Sequence, residues 1–422
     1  MNSFINHICV VKNHPIAKLD ESFRSTYLKG IAGCLSKYRD KEGKIEALYN
    51  ALCLSINNSE PKWTWYNTPN ENDISYAISI QRKGWKFFTM RVPFFFDCFY
   101  IIQSVHPQYC YPMYLWLNKE FCGMFCKKTL KKVYQYFTEG INQELIPQEL
   151  IWHKQLNERN ATIIEKKILV VANVSAGKST LINALVGYRL NRTKTTACTS
   201  KLCFIHNKLV EDALLSYSNK NREYYYLQEK DSITSDFAEE ISLKFNSNLS
   251  NKRICLIDTP GINNVENLEH RKITEDAIRN GAYDAIIYLS NCQYFGTTDE
   301  RRFLEFLKKH SKRPIMFVLN QLDRFKQKED SIAKMLCNYY NDLLAIGFKS
   351  PVICPISAQA ALLFKLSNNL LDEDDLYEKE KYMTKFQKEY YNLQSYSSCK
   401  ERDSSLLDLC GINYLEKIIS QI

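Results

Sequence analysis

The chain has 422 residues, 45% of them hydrophobic and 24% charged, with a formal net charge of +9. That length and apolar share exclude a disordered chain and allow two domains of ordinary size with a substantial core. Fifteen cysteines without a single C-x-x-C pair speak against a disulfide or zinc framework, and several of them (Cys255, Cys292, Cys354) lie in or beside apolar runs, as small hydrophobes of a reducing compartment do.

Met1–His7 lacks the basic start and long apolar stretch of a signal peptide, so a cytoplasmic protein is expected. Apolar residues at three-to-four spacing predict helices over Phe23–Tyr38 and Lys44–Ile56, and Asn67–Asp73 reads as a loop. The aromatic-rich segment Ile74–Val105 is expected in the core. Its most apolar part, Val92–Ile102, is too short for a membrane span and carries Asp97, so a core helix or strand is predicted. Further helices are expected over Pro112–Gly123 and Leu130–Phe137. Lys127, Lys128, Lys131 and Lys132 fall at helical spacing and read as a solvated face, a lipid or nucleic-acid patch being the alternative; no recognised nucleic-acid module is visible and no nucleic-acid partner is expected. Cys122 and Cys126 are one helical turn apart and spaced as a metal pair could be, but no histidine partner lies nearby. Residues 1–145 therefore read as a mainly helical domain. A helix over Gln148–Arg159, with Leu150, Ile151 and Leu156 on one face, fills a connecting segment at 146–165.

The run Ile168-Leu169-Val170-Val171 reads as a buried strand, followed by Ala172 and the octet Asn173-Val174-Ser175-Ala176-Gly177-Lys178-Ser179-Thr180. Leu181, Ile182, Ala184, Leu185 and Val186 then make the apolar side of a helix. Strand, tight turn and Gly-Lys-Ser opening a helix form a phosphate-cradling loop: successive backbone N–H groups curl around an anion and the helix N-terminus faces it. Lys178 adds a charge for the β- and γ-phosphates, and the Ser179 hydroxyl supplies an oxygen for Mg2+. Ala172 stands where the pattern has its first glycine, which requires a negative or slightly strained φ.

In the loop Arg192–Thr199, ahead of the β-like run Leu202–Ile205, a threonine can reach the same Mg2+ and sense the γ-phosphate; Thr196 is the candidate and Thr195 the near alternative. The apolar run Arg253–Ile257 delivers Asp258-Thr259-Pro260-Gly261, so a carboxylate reaches a Mg2+-bound water at the sheet edge and the Gly261 N–H meets the γ-phosphate. A third run, Pro314–Leu319, ends in Asn320-Gln321-Leu322-Asp323. Asp323 accepts both the N1–H and the exocyclic amine of guanine, whereas adenine presents an acceptor at N1 and leaves the carboxylate unpaired. Asn320 ties this turn toward the phosphate loop. Gln321, where a lysine is usual, covers the base face with its stem. The run from Val352 ends in Ser357-Ala358, whose Ala358 N–H is expected to meet the guanine carbonyl.

Residues from 166 onward resemble the GTPase domain of the dynamin superfamily, particularly its bacterial members, on Ser175–Gly187, Thr195–Thr199, Asp258–Ile262, Phe295–Asp299 and Val318–Asp323. The resemblance implies GTP as substrate with Mg2+, and a dimer formed across the nucleotides. It also implies that Ser175 lies near the β/γ bridge and offsets developing charge. Ile262 fills the slot where Ras-like switches orient water with a Gln; the family leaves this slot apolar too. Val174 sits where animal members carry a water-orienting Gln. Water positioning is therefore assigned to Thr196 and backbone groups. The expected catalytic set is Ser175, Lys178 and Thr196. Nucleotide contacts are expected from residues 173–180, Asp258, Gly261, Asn320, Gln321, Asp323, Ser357 and Ala358, and Mg2+ contacts from Ser179, Thr196 and Asp258.

Strand–helix alternation continues with a strand at Ala285–Leu289, a helix at Thr298–His310 opened by an N-cap-like threonine, and a helix at Asp330–Leu344. A charged, Tyr- and Lys-rich stretch at 366–405 reads as a helical or partly mobile insertion, and Gly411–Ile419 as the closing helix. The expected fold class is α/β: residues 166–422 form a P-loop GTPase domain on a mostly parallel, doubly wound sheet, preceded by the helical region. The leading functional expectation is a GTP-hydrolysing dynamin-like protein that forms a nucleotide-dependent homodimer, with peripheral membrane association as a further possibility. The alternative is a nucleotide-gated interaction module that binds GTP or GDP with little hydrolysis, which Ala172, Val174 and Ile262 keep open.

Overall fold

In the computed structural model the described residues are 11, 13–38, 40–41, 43–57, 71–79, 88–172, 176–190, 202–211, 214–218, 223–227, 240–260, 268–293, 296–397 and 404–422. They cluster into two units, Met1–Ile163 with Val210–Gln228, and Ile164–Leu209 with Glu229–Ile422. The strands, in chain order, are β1 (Lys166–Ala172), β2 (Cys203–Asn207), β3 (Leu214–Ser218), β4 (Glu223–Leu227), β5 (Glu240–Leu243), β6 (Ile254–Asp258), β7 (Ala285–Asn291), β8 (Ile315–Asn320) and β9 (Val352–Pro355).

The first unit holds α1 (Glu21–Leu35), α2 (Lys44–Asn57), α3 (Glu71–Ser79), α4 (Phe88–Val105), α5 (Cys110–Glu120), α6 (Met124–Glu139) and α7 (Gln148–Thr162), together with the antiparallel pair β3–β4. The aromatic-rich segment forms α4, whose Phe94, Phe95, Phe96 and Phe99 are fully buried. A helix apolar on all sides belongs at the centre of a bundle. Its one acid, Asp97, is buried but satisfied: Oδ2 accepts from the Tyr27 hydroxyl and lies 3.1 Å from His14 Nε2. Arg91 Nε donates to the Ile78 carbonyl at 3.1 Å and so joins α4 to the end of α3. No described helix is long and apolar enough to cross a membrane.

Two helix boundaries differ from expectation because Gly123 starts a helix instead of ending one. It is the N-cap of α6, which begins at Met124 rather than Leu130. Cys126, Leu130, Val133 and Phe137 form the buried stripe of α6, while Met124, Phe125, Lys127, Lys128 and Lys131 are exposed. Cys122 and Cys126 face each other at 2.9 Å between their sulfurs. Helix α7, expected as a connector, groups with the helical unit: Leu150 and Ile151 are buried in its core, and Asn157 Nδ2 donates to the Tyr100 hydroxyl at 2.6 Å.

The second unit is built on strands in the order β5-β2-β6-β1-β7-β8-β9. Strands β6, β1, β7, β8 and β9 run parallel, β2 pairs antiparallel with β6, and β5 is parallel to β2. Strands β1 and β7 are buried along most or all of their length, which explains their continuous apolar runs instead of alternation. The helices are α8 (Lys178–Val186), α9 (Leu268–Asn280), α10 (Thr298–His310), α11 (Ile332–Ile346), α12 (Ala358–Lys365), α13 (Glu373–Phe386), α14 (Leu406–Leu409) and α15 (Ile412–Ser420). The cap of α10 falls one residue earlier than the sequence suggested, on Thr297, whose hydroxyl accepts from the Glu300 N–H at 3.4 Å.

The charged stretch after residue 366 is ordered chiefly as α13. Asp372 caps it by accepting from the Asp375 N–H at 2.8 Å, and Glu373, Asp374 and Asp375 occupy the first turn, where the helix dipole favours negative charge. The acidic run is thus a helix start. At the end of the chain, Gly411 sits at a φ of +84° against β9, where a Cβ would collide with the Pro355 carbonyl oxygen. That close approach lets α15 pack behind α8 and α12, and there Lys365 and Glu416 form an ion pair with both side chains almost fully buried.

Candidate nucleotide site

Parallel strands deliver their carboxyl ends to one edge, and β1, β6, β8 and β9 each end there in a turn that carries one piece of the site. Ala172 is the last residue of β1, paired with Leu289 of β7 and buried, and it is not among the residues with positive φ. The missing first glycine is therefore tolerated without strain, because the strand simply runs one residue further. Asn173, Val174 and Ser175 lie outside the described residues. Gly177 follows at a φ of +86°, and a Cβ on it would stand 2.7 Å from Asn320 Nδ2. Both the backbone conformation and the close approach call for glycine here.

Lys178 is the first residue of α8, and its ammonium pairs with the Asp258 carboxylate at the end of β6, which is 1% exposed. The turn after Asp258 is held on two sides. Thr259 Oγ1 donates to the Val170 carbonyl at 2.8 Å, and Thr274 Oγ1 of α9 to the Pro260 carbonyl at 3.1 Å. Gly261 and Ile262 lie outside the described residues, as do Thr195 and Thr196. The approach to that threonine loop is described: Gly187 closes α8 in a left-handed conformation, and Asn183 Oδ1 accepts from the Leu190 N–H at 3.0 Å.

Asn320 fastens three turns together. Its Nδ2 donates to the Ala176 carbonyl of the phosphate loop at 2.8 Å, and its Oδ1 accepts from the Ala358 N–H at 2.9 Å. The first bond is the tie expected from the sequence. The second alters the expectation for Ala358, whose N–H can meet a guanine carbonyl only by sharing or exchanging this bond. Ser357 does not face the cavity: it is fully buried and its Oγ caps α12 by accepting from the Ala360 N–H at 3.4 Å. Gln321 adopts a left-handed φ of +67°, which turns the chain so that Asp323 enters a short helical turn. Cys292 donates its thiol to the Gln321 carbonyl at 3.2 Å; burial, with Asp323 second, pushes that thiol up to about 12, so it remains a donor.

Around these turns lies a cavity of about 520 Å3, lined by Gly177, Thr180, Asn320, Gln321 and Asp323 on one side. Its other wall comes from α13, through Glu378, Lys381, Tyr382 and Lys385. Sequence reasoning missed this wall. The positions repeat at i, i+3, i+4 and i+7 and so share a helix face, but nothing local relates that face to a strand end 55 or more residues earlier.

The oxygen donors fit Mg2+. Asp258 and Ser179 offer a carboxylate and a hydroxyl, the hard ligands this ion takes beside phosphate oxygens, and the Lys178 ammonium on Asp258 shows that the position accommodates a cation. A second cluster, Glu165, His206 and Cys255, does not form such a site. Glu165 meets His206 Nδ1 at 2.9 Å while Cys255 faces the opposite ring nitrogen at 3.9 Å, and the Arg253 guanidinium, 3.9 Å from Glu165, supplies a positive charge there.

A Gly-Lys-Ser loop and an Asn-x-x-Asp turn, locked by Asn320 at the carboxyl edge of a mostly parallel sheet, make the second unit a P-loop GTPase domain. Residues 168–322 match the model of the dynamin family. Over that span the chain is similar to the GTPase domain of the dynamin family.

Among curated proteins, one from Caldicellulosiruptor sp. (strain Rt8B.4), described as an uncharacterized protein in the xynA 3′ region, is 26% identical over 286 residues, 64% of this chain and 68% of that one. The probable transmembrane GTPase FZO-like, chloroplastic, of Arabidopsis thaliana is 25% identical over 210 residues, 50% of this chain and 21% of the relative. Among solved structures, a bacterial dynamin of an oligomerised pair described as sensing and tethering membranes is 15% identical, with a TM-score of 0.37 over 97% of this chain and 62% of its own. Toc33 from Arabidopsis thaliana, in complex with Mg2+ and GMPPNP, is 12% identical, with a TM-score of 0.31 over 52% of this chain and 78% of its own.

Proposed function

We propose that the chain binds GTP with Mg2+ and hydrolyses it to GDP and phosphate, faster as a dimer formed across two nucleotide sites. The observation that carries this reading is the pair of hydrogen bonds that Asn320 makes to Ala176 and Ala358, which holds the two loops at a fixed separation. Such catalysis is positioning and electrostatics. Lys178 would exchange Asp258 for the β/γ-phosphates, and Asp258 and Ser179 would hold Mg2+. That ion, when bound, supplies charge neutralisation at the phosphates. Ser175 offsets charge near the β/γ bridge, Gly261 donates its N–H to the γ-phosphate, and Thr196 with backbone groups places the water. The homodimer completes charge compensation. The protein acts in the cytoplasm, and the exposed Lys127, Lys128 and Lys131 beside Met124 and Phe125 suit contact with an anionic membrane surface.

Two measurements test this. Sedimentation with GDP, a non-hydrolysable GTP analogue and a transition-state mimic should show dimers with the last two, and turnover per molecule should rise with protein concentration. Flat turnover over a hundredfold concentration range removes dimer activation from the reading. For the base, Asp323→Asn is expected to weaken GTP binding by roughly 10- to 100-fold, because the amide turns one acceptor into a donor facing a donor. A variant that binds GTP as tightly as wild type and still rejects ATP overturns the assignment of Asp323 to guanine.

A further inference from the structure

The insertion helix α13 stands over the base end of the cavity and makes two bonds to the residue that reads the base. The Tyr382 hydroxyl donates to Asp323 Oδ2 at 3.3 Å, and the Lys385 ammonium donates to the Asp323 main-chain carbonyl. The helix is anchored independently of Asp323. Phe386 is fully buried edge-on to Phe364 of α12, the Tyr382 ring packs 6.1 Å from Phe386, and Gln359 Nε2 donates to Glu378 at 3.0 Å. At its other end, Arg189 pairs with Asp375. Lys385 also lies 4.6 Å from the centre of the Tyr391 ring, whose hydroxyl donates to the Phe325 carbonyl at 2.8 Å. A rigid element thus grips Asp323 at its side chain and its backbone.

Resting on the reading of this site as a guanine pocket, we infer that Tyr382 is a specificity-determining positioning residue, which holds the Asp323 carboxylate in the plane needed to accept two guanine hydrogen bonds at once. A carboxylate has about four lone-pair sites on its two oxygens. One bond from a phenol leaves enough for N1–H on one oxygen and the exocyclic amine on the other. Rotation about the bond to the carboxyl carbon would lose that two-point match while still allowing a single bond to N1–H. Burial, followed by the Asp323 charge, holds the Tyr382 phenol well above its ordinary pKa, so it stays a donor throughout the neutral range.

The consequence is read by comparing GDP with inosine diphosphate, which keeps N1–H but lacks the exocyclic amine. In Tyr382→Phe, which keeps the ring and its packing, GDP affinity should fall about 5- to 10-fold and inosine diphosphate affinity by about 2-fold or less, so the preference for GDP shrinks several-fold. Because the preference is a ratio taken within one preparation, partial unfolding cancels from it. An unchanged ratio, or tighter GDP binding by the variant, overturns the inference; the second result would make Tyr382 a plug that competes with the base. Failure of the wild-type chain to bind either diphosphate would strike the proposed function instead.

Discussion

Lys178→Ala is expected to reduce kcat/KM for GTP by at least ~100-fold, with most of the loss already visible in nucleotide affinity. The lysine opens α8, where the positive end of the helix dipole favours an anion, and it places its ammonium beside Asp258 at the end of β6. Its removal also takes a cationic partner from Asp258, a carboxylate that is 1% exposed, so the nucleotide-free variant should melt earlier than wild type. The melt separates loss of chemistry from loss of fold: at a temperature where the variant is folded, phosphate release in a single turnover must still be nearly abolished. If wild type and variant both release negligible phosphate, the chain is a nucleotide-gated interaction module and its proposed hydrolysis is wrong.

The second large effect concerns stability. Lys365→Met should cost about 3–5 kcal/mol in urea unfolding, because it leaves the Glu416 carboxylate buried without its ion-pair partner. Lys365 Nζ also donates to the Ala184 carbonyl at 2.6 Å, and Glu416 Oε2 accepts from the Asn248 N–H at 3.2 Å, so the pair joins α12 and α15 to α8 beneath the phosphate loop. Replacing both partners, Lys365→Met with Glu416→Leu, should recover most of the loss, since no buried charge then remains.

The defect should depend on pH in a definite direction. Burial raises the Glu416 pKa, opposed by Lys365 and by the hydrogen bonds from Asn248, and removing the lysine takes away the larger of the two opposing influences. A carboxyl group with a raised folded pKa binds its proton more tightly in the folded state. Its stabilising contribution is fully present below the unfolded value of about 4.3 and is lost as pH climbs through the folded value. The single variant should therefore be most impaired near neutrality and recover toward acid. A defect independent of pH would mean that Glu416 is not the source of the loss.

The turns that form the candidate site were legible because each is local. Gly177-Lys178, Asp258 and Asn320-Gln321-Leu322-Asp323 all sit where an apolar strand stops, and the amphipathic run over Thr298–His310 became α10 over that span. Errors fell where one glycine or one threonine has two readings. Gly123 caps the start of α6 rather than the end of α5, and Thr297, not Thr298, caps α10. Ser357 was legible as part of a Ser-Ala turn, but its hydroxyl is consumed by the helix it starts.

By itself, the sequence determined the strand ends, the turn chemistry and hence the GTPase class of the second unit, because those signals lie within windows of about eight residues that obey fixed backbone rules. The tertiary structure alone decided what meets those turns. Tyr382 on Asp323 spans 59 positions, Lys365 on Glu416 spans 51, and Tyr27 on Asp97 spans 70. Contacts at such separations are set by how whole helices and strands pack, and a buried hydrogen bond or ion pair leaves no periodic trace along the chain. The charged stretch after residue 366, which reads locally as a helical or partly mobile insertion, is by that packing a wall of the cavity beside Asp323.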